Sequence, residues 1–139
     1  MPLIEQSSYQ APFGLFNGHL QTLYPALFRK VPLITTEHER ITTPDSDFLD
    51  LIWTKAPHST RLAILTHGLE GSAHAAYAQG MARALATAGW SVLTWNLRNC
   101  SGVPNHRLRS YHSGAIDDLQ TVIEHTARTA SFEKVALVG

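Results

Sequence analysis

Three short apolar segments, separated by two stretches long enough for a helix, constrain the fold of this chain most. Residues 62–66, 91–95 and 135–138 have the apolar runs of strands that are covered on both faces of a sheet. Each intervening stretch contains a predicted helix, and parallel strands need a crossover of at least a dozen residues. The sequence therefore predicts an α/β fold with a mostly parallel sheet and flanking helices.

Both predicted helices have end signals. Ser72 is a candidate N-cap of the first helix, and Gly89 would end it. Its predicted inward face consists of Tyr77, Met81, Ala84, Leu85 and Ala88. The second helix is expected to begin near Ser113, with Asp117 and Asp118 at the positive end of its dipole. Its predicted buried stripe consists of Ile116, Leu119, Ile123 and Ala127.

The chain begins with a segment of different composition. Residues 9–32 are rich in aromatic residues and contain a short predicted helix with Asn17 as its cap. Pro25 lacks a backbone donor, so this helix is expected to be short or kinked. We expect residues 1–32 to form an amino-terminal arm that packs on the core.

An antiparallel hairpin is predicted next. Residues 39–43 and 48–54 are strand candidates, and residues 44–47 between them have turn-forming side chains. The hairpin would lie at a sheet edge and belong to a core domain of residues 33–139.

Composition excludes several classes of function. Eleven acidic residues balance eleven basic ones, so no net field attracts nucleic acid. No apolar run approaches the ~18 residues that a membrane-spanning helix requires, and the first residues lack the pattern of a secretory signal. Cys100, the single cysteine, fits a reducing compartment. A cytoplasmic location is expected, and no sequence signal indicates an oligomeric state.

The turn of residues 67–72, His-Gly-Leu-Glu-Gly-Ser, is the main candidate site. It follows the first predicted parallel strand, and right-handed crossovers bring it to the sheet edge where open α/β sheets bind ligands. Gly68 and Gly71 let the backbone approach a ligand closely, and amides held in this way stabilise an oxyanion. The predicted donor is the backbone N–H of Leu69. A plain strand-to-helix turn is an equally open alternative.

Further motifs extend this pattern over nearly the whole chain. They are residues 96–102 (Asn-Leu-Arg-Asn-Cys-Ser-Gly), residues 111–114 (Tyr-His-Ser-Gly) with Asp118-Leu119, and residues 18–25 (Gly-His-Leu-Gln-Thr-Leu-Tyr-Pro). With the turn, they resemble the YheT-like branch of the α/β-hydrolases, which joins bacterial esterase-like proteins and eukaryotic abhydrolase lipases. Asn99 departs from the branch, which usually has glycine at this position.

The resemblance implies a serine esterase of the α/β-hydrolase fold that uses no cofactor. It implies a Gly-x-Ser-x-Gly nucleophile elbow whose first glycine is Gly139. On this expectation the chain is the amino-terminal half of the hydrolase domain, and the Ser, Asp and His of the triad all lie beyond residue 139. The substrate would be a carboxylic ester or an acylglycerol-like lipid.

Other polar residues near the turn can be interpreted as structural or as functional. His67 is expected to support the turn through its ring nitrogens, because the general base follows the nucleophile in this fold. Glu70 points either into the cleft or into solvent, and Tyr111 and His112 either line the cleft rim or are ordinary loop residues. Cys100 follows the second parallel strand rather than the third, so we expect a packed thiol and not a nucleophile. The eight histidines have no metal-ligand spacing, so no metal site is expected.

Charged residues near the same edge have structural explanations as well. Arg98, Arg107 and Arg109 are expected to form a solvated basic loop, with contact to an anionic substrate as the alternative. The helix dipole accounts for Asp117 and Asp118.

Two other functions stay open. A nucleotide-binding Rossmann domain would need a Gly-x-Gly-x-x-Gly turn and an acidic residue after the second strand, whereas Asn96 and Arg98 stand there. A noncatalytic fragment or interaction module is the other alternative, because an apolar last strand would leave an open sheet edge. We therefore expect the isolated chain to be poorly soluble or oligomeric.

Overall fold

The computed structural model describes residues 7–32, 35–112 and 114–139. Within them the elements are α1 (Gly18–Phe28), β1 (Glu37–Thr42), β2 (Phe48–Thr54), β3 (Arg61–Thr66), α2 (Ala76–Thr87), β4 (Ser91–Trp95), α3 (Asp117–Thr129) and β5 (Lys134–Val138). The chain divides into two units, Met1–Lys30 and Val31–Gly139.

The first unit contains α1. Its predicted N-cap is confirmed, because the Asn17 side-chain oxygen accepts a hydrogen bond from the His19 N–H at 2.8 Å. Pro25 lies inside the helix, which is short, with 11 residues. The Gln21 carboxamide donates to the Leu15 carbonyl at 2.7 Å and connects the helix to the preceding segment. The packing of this arm on the core stays a prediction.

The second unit is built on a five-stranded sheet with the order β1-β2-β4-β3-β5. β1 and β2 form the antiparallel hairpin at one edge, as predicted, and β2 pairs antiparallel with β4. β3 pairs parallel with both β4 and β5. The α/β class is confirmed. The described sheet is mixed, because the predicted hairpin joins the parallel strands through an antiparallel pair.

The register of β3 and β5 positions the candidate site. Leu65 pairs with Val138, so the two strands reach the same sheet edge together. Gly139 therefore follows β5 level with Thr66, the last residue of β3. The turn that follows β3 and the residue that follows β5 thus lie on neighbouring strands.

Helix α2 begins later and turns a different face inward than predicted. It begins at Ala76, and Ser72 does not cap it, because the Ser72 hydroxyl accepts the His74 N–H at 3.2 Å within the preceding turn. The buried residues are Ala78 and Ala82, and Leu85 from the predicted face packs beside them. Tyr77 and Met81, from the same predicted face, are about half exposed. Small alanine side chains let α2 lie close against the sheet residues Leu65 and Val92.

Helix α3 also begins later than predicted, at Asp117, and Ser113 lies outside the described residues. It buries Val122 against the main core, with Leu119 and Ile123 partly buried beside it. Ile116, from the predicted buried stripe, precedes the helix and is exposed.

Strand β5 is more exposed than a covered strand. Val135 and Leu137 are 54% and 57% exposed, whereas Val138 packs against the cluster beside α2. The prediction of a buried strand is therefore wrong for one of its faces. The physical reason is its place at the sheet edge, where no described helix covers Val135 and Leu137.

Candidate active site

The turn after β3 is closed by a backbone hydrogen bond. The Gly71 N–H donates to the Gly68 carbonyl at 2.9 Å. Glu70 has a φ of +53°, in the left-handed region that residues other than glycine rarely adopt. The Leu69 side chain is 84% exposed, whereas His67 is buried. The turn therefore projects the Leu69 side chain outward and holds His67 beneath its backbone.

Both ring nitrogens of His67 bond to backbone groups. Nε2 accepts the N–H of Leu97 at 3.1 Å, so this nitrogen carries no proton. Nδ1 lies 2.9 Å from the Gly68 carbonyl oxygen and is the donor of the neutral ring. His67 thus connects the segment after β4 to the carbonyl of the turn.

The Leu69 amide has a fixed direction, and no residue that the structure describes accepts its hydrogen. Its N–H belongs to the same planar trans peptide unit as the Gly68 carbonyl and points away from it. Gly71 and His67 both donate to this carbonyl, which fixes the plane of the unit. Among the described residues, the N–H groups of Gly68, Glu70 and Gly71 all have acceptors, and the N–H of Leu69 has none. It is therefore available to a ligand.

Two tyrosine hydroxyls accept the amides on either side of Leu69. The Gly68 N–H donates to the Tyr77 hydroxyl and the Glu70 N–H to the Tyr111 hydroxyl, both at 2.8 Å. The sequence predicts only a packing role for Tyr77, because its position in the helix pattern indicates an inward ring. The sequence contains no local signal for its hydrogen bond to the turn.

The predicted site residues surround two adjoining clefts. One has a volume of about 840 Å³ and is lined by Leu69, Glu70, Gly71, Cys100, Tyr111 and His112. The other, about 320 Å³, is more apolar and includes Leu69, Tyr111 and His112 together with His67, Trp95 and Leu97. The structure therefore brings the turn and the Tyr111-His112 segment together around one space.

Cys100 lies in the larger cleft and is partly buried. Burial raises the pKa of its thiol, and the Glu70 carboxylate adds to the increase, while the Tyr111 hydroxyl opposes it. A raised pKa keeps the thiol protonated, which makes it a poor nucleophile.

Arg98 is buried rather than solvated, which corrects the expectation of an exposed basic loop. Its side chain is 1% exposed, and its guanidinium contacts the carboxylates of Asp45, Asp47 and Asp118 at 2.8–3.2 Å. The hydrogen bonds that Arg98 donates to Asp118 and Asp45 raise the pKa of Arg98, although burial lowers it. Asp118 is therefore an ion-pair partner and not only a helix-dipole residue. These contacts join the hairpin and α3 to the segment after β4.

The other two arginines of this loop make separate contacts. The Arg107 guanidinium donates to the Asp45 carbonyl at 2.9 Å. Arg109 forms an exposed ion pair with Asp117. Both side chains therefore bond within the protein.

Asp47 anchors the loop that leads to Tyr111. Its carboxylate accepts hydrogen bonds from the Asn105 side chain and from the His106 and Arg107 amides at 2.9–3.1 Å. Burial raises the pKa of Asp47, but these hydrogen bonds outweigh burial and hold it well below its usual range. The carboxylate therefore stays charged and keeps the loop in place.

Asn99 adopts a φ of +65°, a conformation open to glycine and tolerated by asparagine. Its backbone N–H donates to the Asn105 side chain at 2.7 Å, and its own side-chain oxygen accepts the Asn105 N–H at 2.9 Å. The asparagine thus preserves a loop shape that glycine could also adopt.

Two kinds of feature are absent from the described ranges. No cluster of three or more His, Cys, Asp or Glu residues in them could hold a metal ion. No helix in the same ranges is both long and apolar enough to cross a membrane.

Similar proteins agree with this architecture. The chain is 39% identical over 130 residues to the Escherichia coli (strain K12) protein named "Putative esterase YheT". The matched residues make up 91% of this chain and 38% of YheT. No protein-family model matches.

Solved structures of serine hydrolases and esterases share the fold. XC6422 from Xanthomonas campestris, a serine hydrolase without a lid, has a TM-score of 0.60 and 25% identity over 77% of this chain and 53% of its own. The esterase Pf2001 from Pyrococcus furiosus has a TM-score of 0.66 and 19% identity over 75% of this chain and 39% of its own. The chain thus spans between about a third and a half of the length of these relatives. It has the α/β-hydrolase fold, and 91% of this chain is homologous to part of YheT.

Proposed function

We propose that this chain supplies the oxyanion-binding turn of a serine hydrolase that cleaves carboxylic esters. The observation that carries the proposal is the Leu69 N–H, which has a fixed direction and no acceptor among the described residues. It lies in the β3–α2 loop, the loop that provides an oxyanion donor in α/β-hydrolases. The named activity of YheT and the shared fold support the same reaction class.

The nucleophile is proposed to follow Gly139. A Gly-x-Ser-x-Gly elbow starting there would bring a serine to the end of β5, next to the β3 turn, because Leu65 and Val138 are paired. The acid and the histidine of the triad would follow later in the protein. No metal or cofactor is needed for this chemistry.

The reaction divides into two acyl transfers. The serine oxygen attacks the ester carbonyl while a histidine takes the serine proton, and the carbonyl oxygen becomes an oxyanion beside the Leu69 N–H. The tetrahedral intermediate then releases the alcohol, which receives the proton from the histidine. A water molecule attacks the acyl-serine in the same way, releases the carboxylic acid and restores the serine.

The substrate is proposed to be a small ester or an acylglycerol-like lipid. The apolar cleft lined by Trp95, Leu97 and Leu119 next to Leu69 supports an acyl group at this position. The single cysteine supports the cytoplasm as the compartment.

Fluorophosphonate labelling tests the proposed function. The protein that contains this sequence is purified from its source, identified by its peptides and treated with the probe. We expect one modified serine, located two residues after Gly139, and hydrolysis of short p-nitrophenyl esters. Folded protein that neither reacts with the probe nor hydrolyses these esters would contradict the proposal.

A further inference from the structure

We infer that Tyr77 and Tyr111 are positioning residues that hold the Leu69 amide in line with the developing oxyanion. The inference rests on the proposed function and assigns a role to two hydroxyls beside the turn. Neither hydroxyl needs to touch the substrate, because each accepts a backbone N–H next to Leu69.

The two hydroxyls reach the turn from different elements. Tyr77 lies in the first turn of α2, nine residues after Gly68, and Tyr111 precedes α3, 41 residues after Glu70. Each accepts its amide at 2.8 Å, a normal length for a hydrogen bond. The peptide unit that carries the Leu69 N–H is therefore flanked on both sides by peptide units that are fixed to separate parts of the fold.

The bond from the Glu70 N–H to Tyr111 holds an unfavourable backbone conformation in place. The Glu70 φ of +53° is unfavourable for a residue with a side chain. Rotation of the peptide between Leu69 and Glu70 would let Glu70 return to a negative φ and would break its bond to Tyr111. The Tyr111 hydroxyl thus opposes a relaxation that would change the shape of the turn around the Leu69 N–H.

The bond from the Gly68 N–H to Tyr77 restrains a flexible residue. Gly68 has no Cβ and can adopt a wide range of φ and ψ values. A change in these angles would swing the following peptide unit, which carries the Leu69 N–H. The bond from the Gly68 N–H to Tyr77 restricts this freedom from the preceding side.

Tyr77→Phe and Tyr111→Phe in the complete protein test the inference, because they remove the hydroxyl and keep the ring. A displaced donor loses transition-state stabilisation, so we expect kcat for an ester substrate to fall roughly 10-fold to 100-fold in each variant. KM should change less than about twofold, because only an interaction made in the transition state is lost. Tyr24→Phe in α1 is the matched control and should keep the wild-type kcat.

Amide hydrogen exchange provides a readout that does not depend on activity. We expect the Gly68 amide to exchange faster in Tyr77→Phe and the Glu70 amide in Tyr111→Phe. Glycine adopts positive φ freely, so Glu70→Gly should restore part of the kcat lost in Tyr111→Phe. Rescue of kcat without a rise in the melting temperature would exclude a role confined to global stability.

The outcomes separate the inference from the proposed function. An inactive wild-type protein would contradict the proposed function and, with it, the role in positioning a catalytic donor. An active wild-type protein whose Phe variants keep both kcat and amide protection would overturn only the tyrosine inference.

Discussion

Arg98 and Asp118 are joined by two parallel hydrogen bonds, from Nε to Oδ2 and from Nη2 to Oδ1, each of 2.8 Å. The pair is buried and connects the segment after β4 to the first turn of α3. Asp47, which is also buried, contacts the same guanidinium at 3.2 Å. The segments on either side of the candidate cleft therefore depend on one cation.

Removal of this cation should strongly destabilise the fold. Arg98→Ala removes the only cation that contacts the buried carboxylates of Asp47 and Asp118 among the described ion pairs, which costs about 3–5 kcal/mol of unfolding free energy. Arg98→Lys keeps the charge but lacks the planar guanidinium fork, so its unfolding free energy should fall by less than that of Arg98→Ala. Urea unfolding measures both, with the exposed Arg83→Ala on α2 as the control. An Arg98→Ala protein as stable as this control would show that the cluster is not a structural anchor.

Acid should weaken the same cluster. Hydrogen bonds from Arg98 lower the pKa of Asp45 from 3.8 to about 2. The unfolded chain therefore binds this proton more tightly than the folded one, so the contribution to stability is present above pH 3.8 and is lost as the pH falls to 2. Unfolding free energy measured between these pH values should fall less steeply in Asp45→Asn than in the wild type. An equally steep fall in unfolding free energy in both proteins would contradict a stabilising charge on Asp45.

Gly71 should tolerate no side chain. A Cβ there would lie 2.6 Å from the Tyr77 hydroxyl and 2.9 Å from the Gly68 carbonyl oxygen. We expect Gly71→Ala to lower the melting temperature and to shift the amide resonances of the turn. A Cβ at Gly68 has 3.7 Å to the Tyr77 hydroxyl, so Gly68→Ala is the matched control.

A double variant tests the contact with the hydroxyl. In a Tyr77→Phe background, Gly71→Ala should cost less stability than in the wild type, because the nearest clashing atom is gone. Additive losses in melting temperature would argue against that contact.

Asn99 should be replaceable by glycine but not by a β-branched residue. At a φ of +65°, Asn99→Gly should change the unfolding free energy by about 1 kcal/mol or less, while Asn99→Val should cost more than that. Thermal or urea unfolding distinguishes the two variants. Equal stability of the valine variant and the wild type would contradict the backbone conformation.

The sequence predicts the strands better than it predicts the contacts of the loops. The spans of β2 and β4 match the predicted ones, because short apolar runs between turn residues leave few alternatives. The start of α2 is less predictable. The Ala73 N–H donates to the Asn96 side chain, so Ser72–Ala75 form a turn that depends on a contact 23 residues away.

In the candidate site, too, the features set by local sequence are predictable and those set by distant contacts are not. The turn and its Leu69 donor follow from a local pattern of glycines after a strand. Burial of Arg98 depends on Asp45 and Asp47, which precede it by more than 50 residues, and no periodic pattern connects them. The same holds for Tyr111, whose hydroxyl meets the Glu70 N–H only in the folded chain.

Replacement of the Leu69 amide by an ester is the most direct test of whether the Leu69 N–H stabilises the oxyanion. The replacement removes the N–H and keeps the side chain; the same replacement at the exposed Val103 and the variant Leu69→Ala are the controls. Stability is measured in parallel, because the ester also makes the Gly68 carbonyl a weaker acceptor. We expect kcat for an ester substrate to fall roughly 100-fold to 1,000-fold in the Leu69 ester alone. A folded Leu69 ester with the wild-type kcat would contradict this expectation.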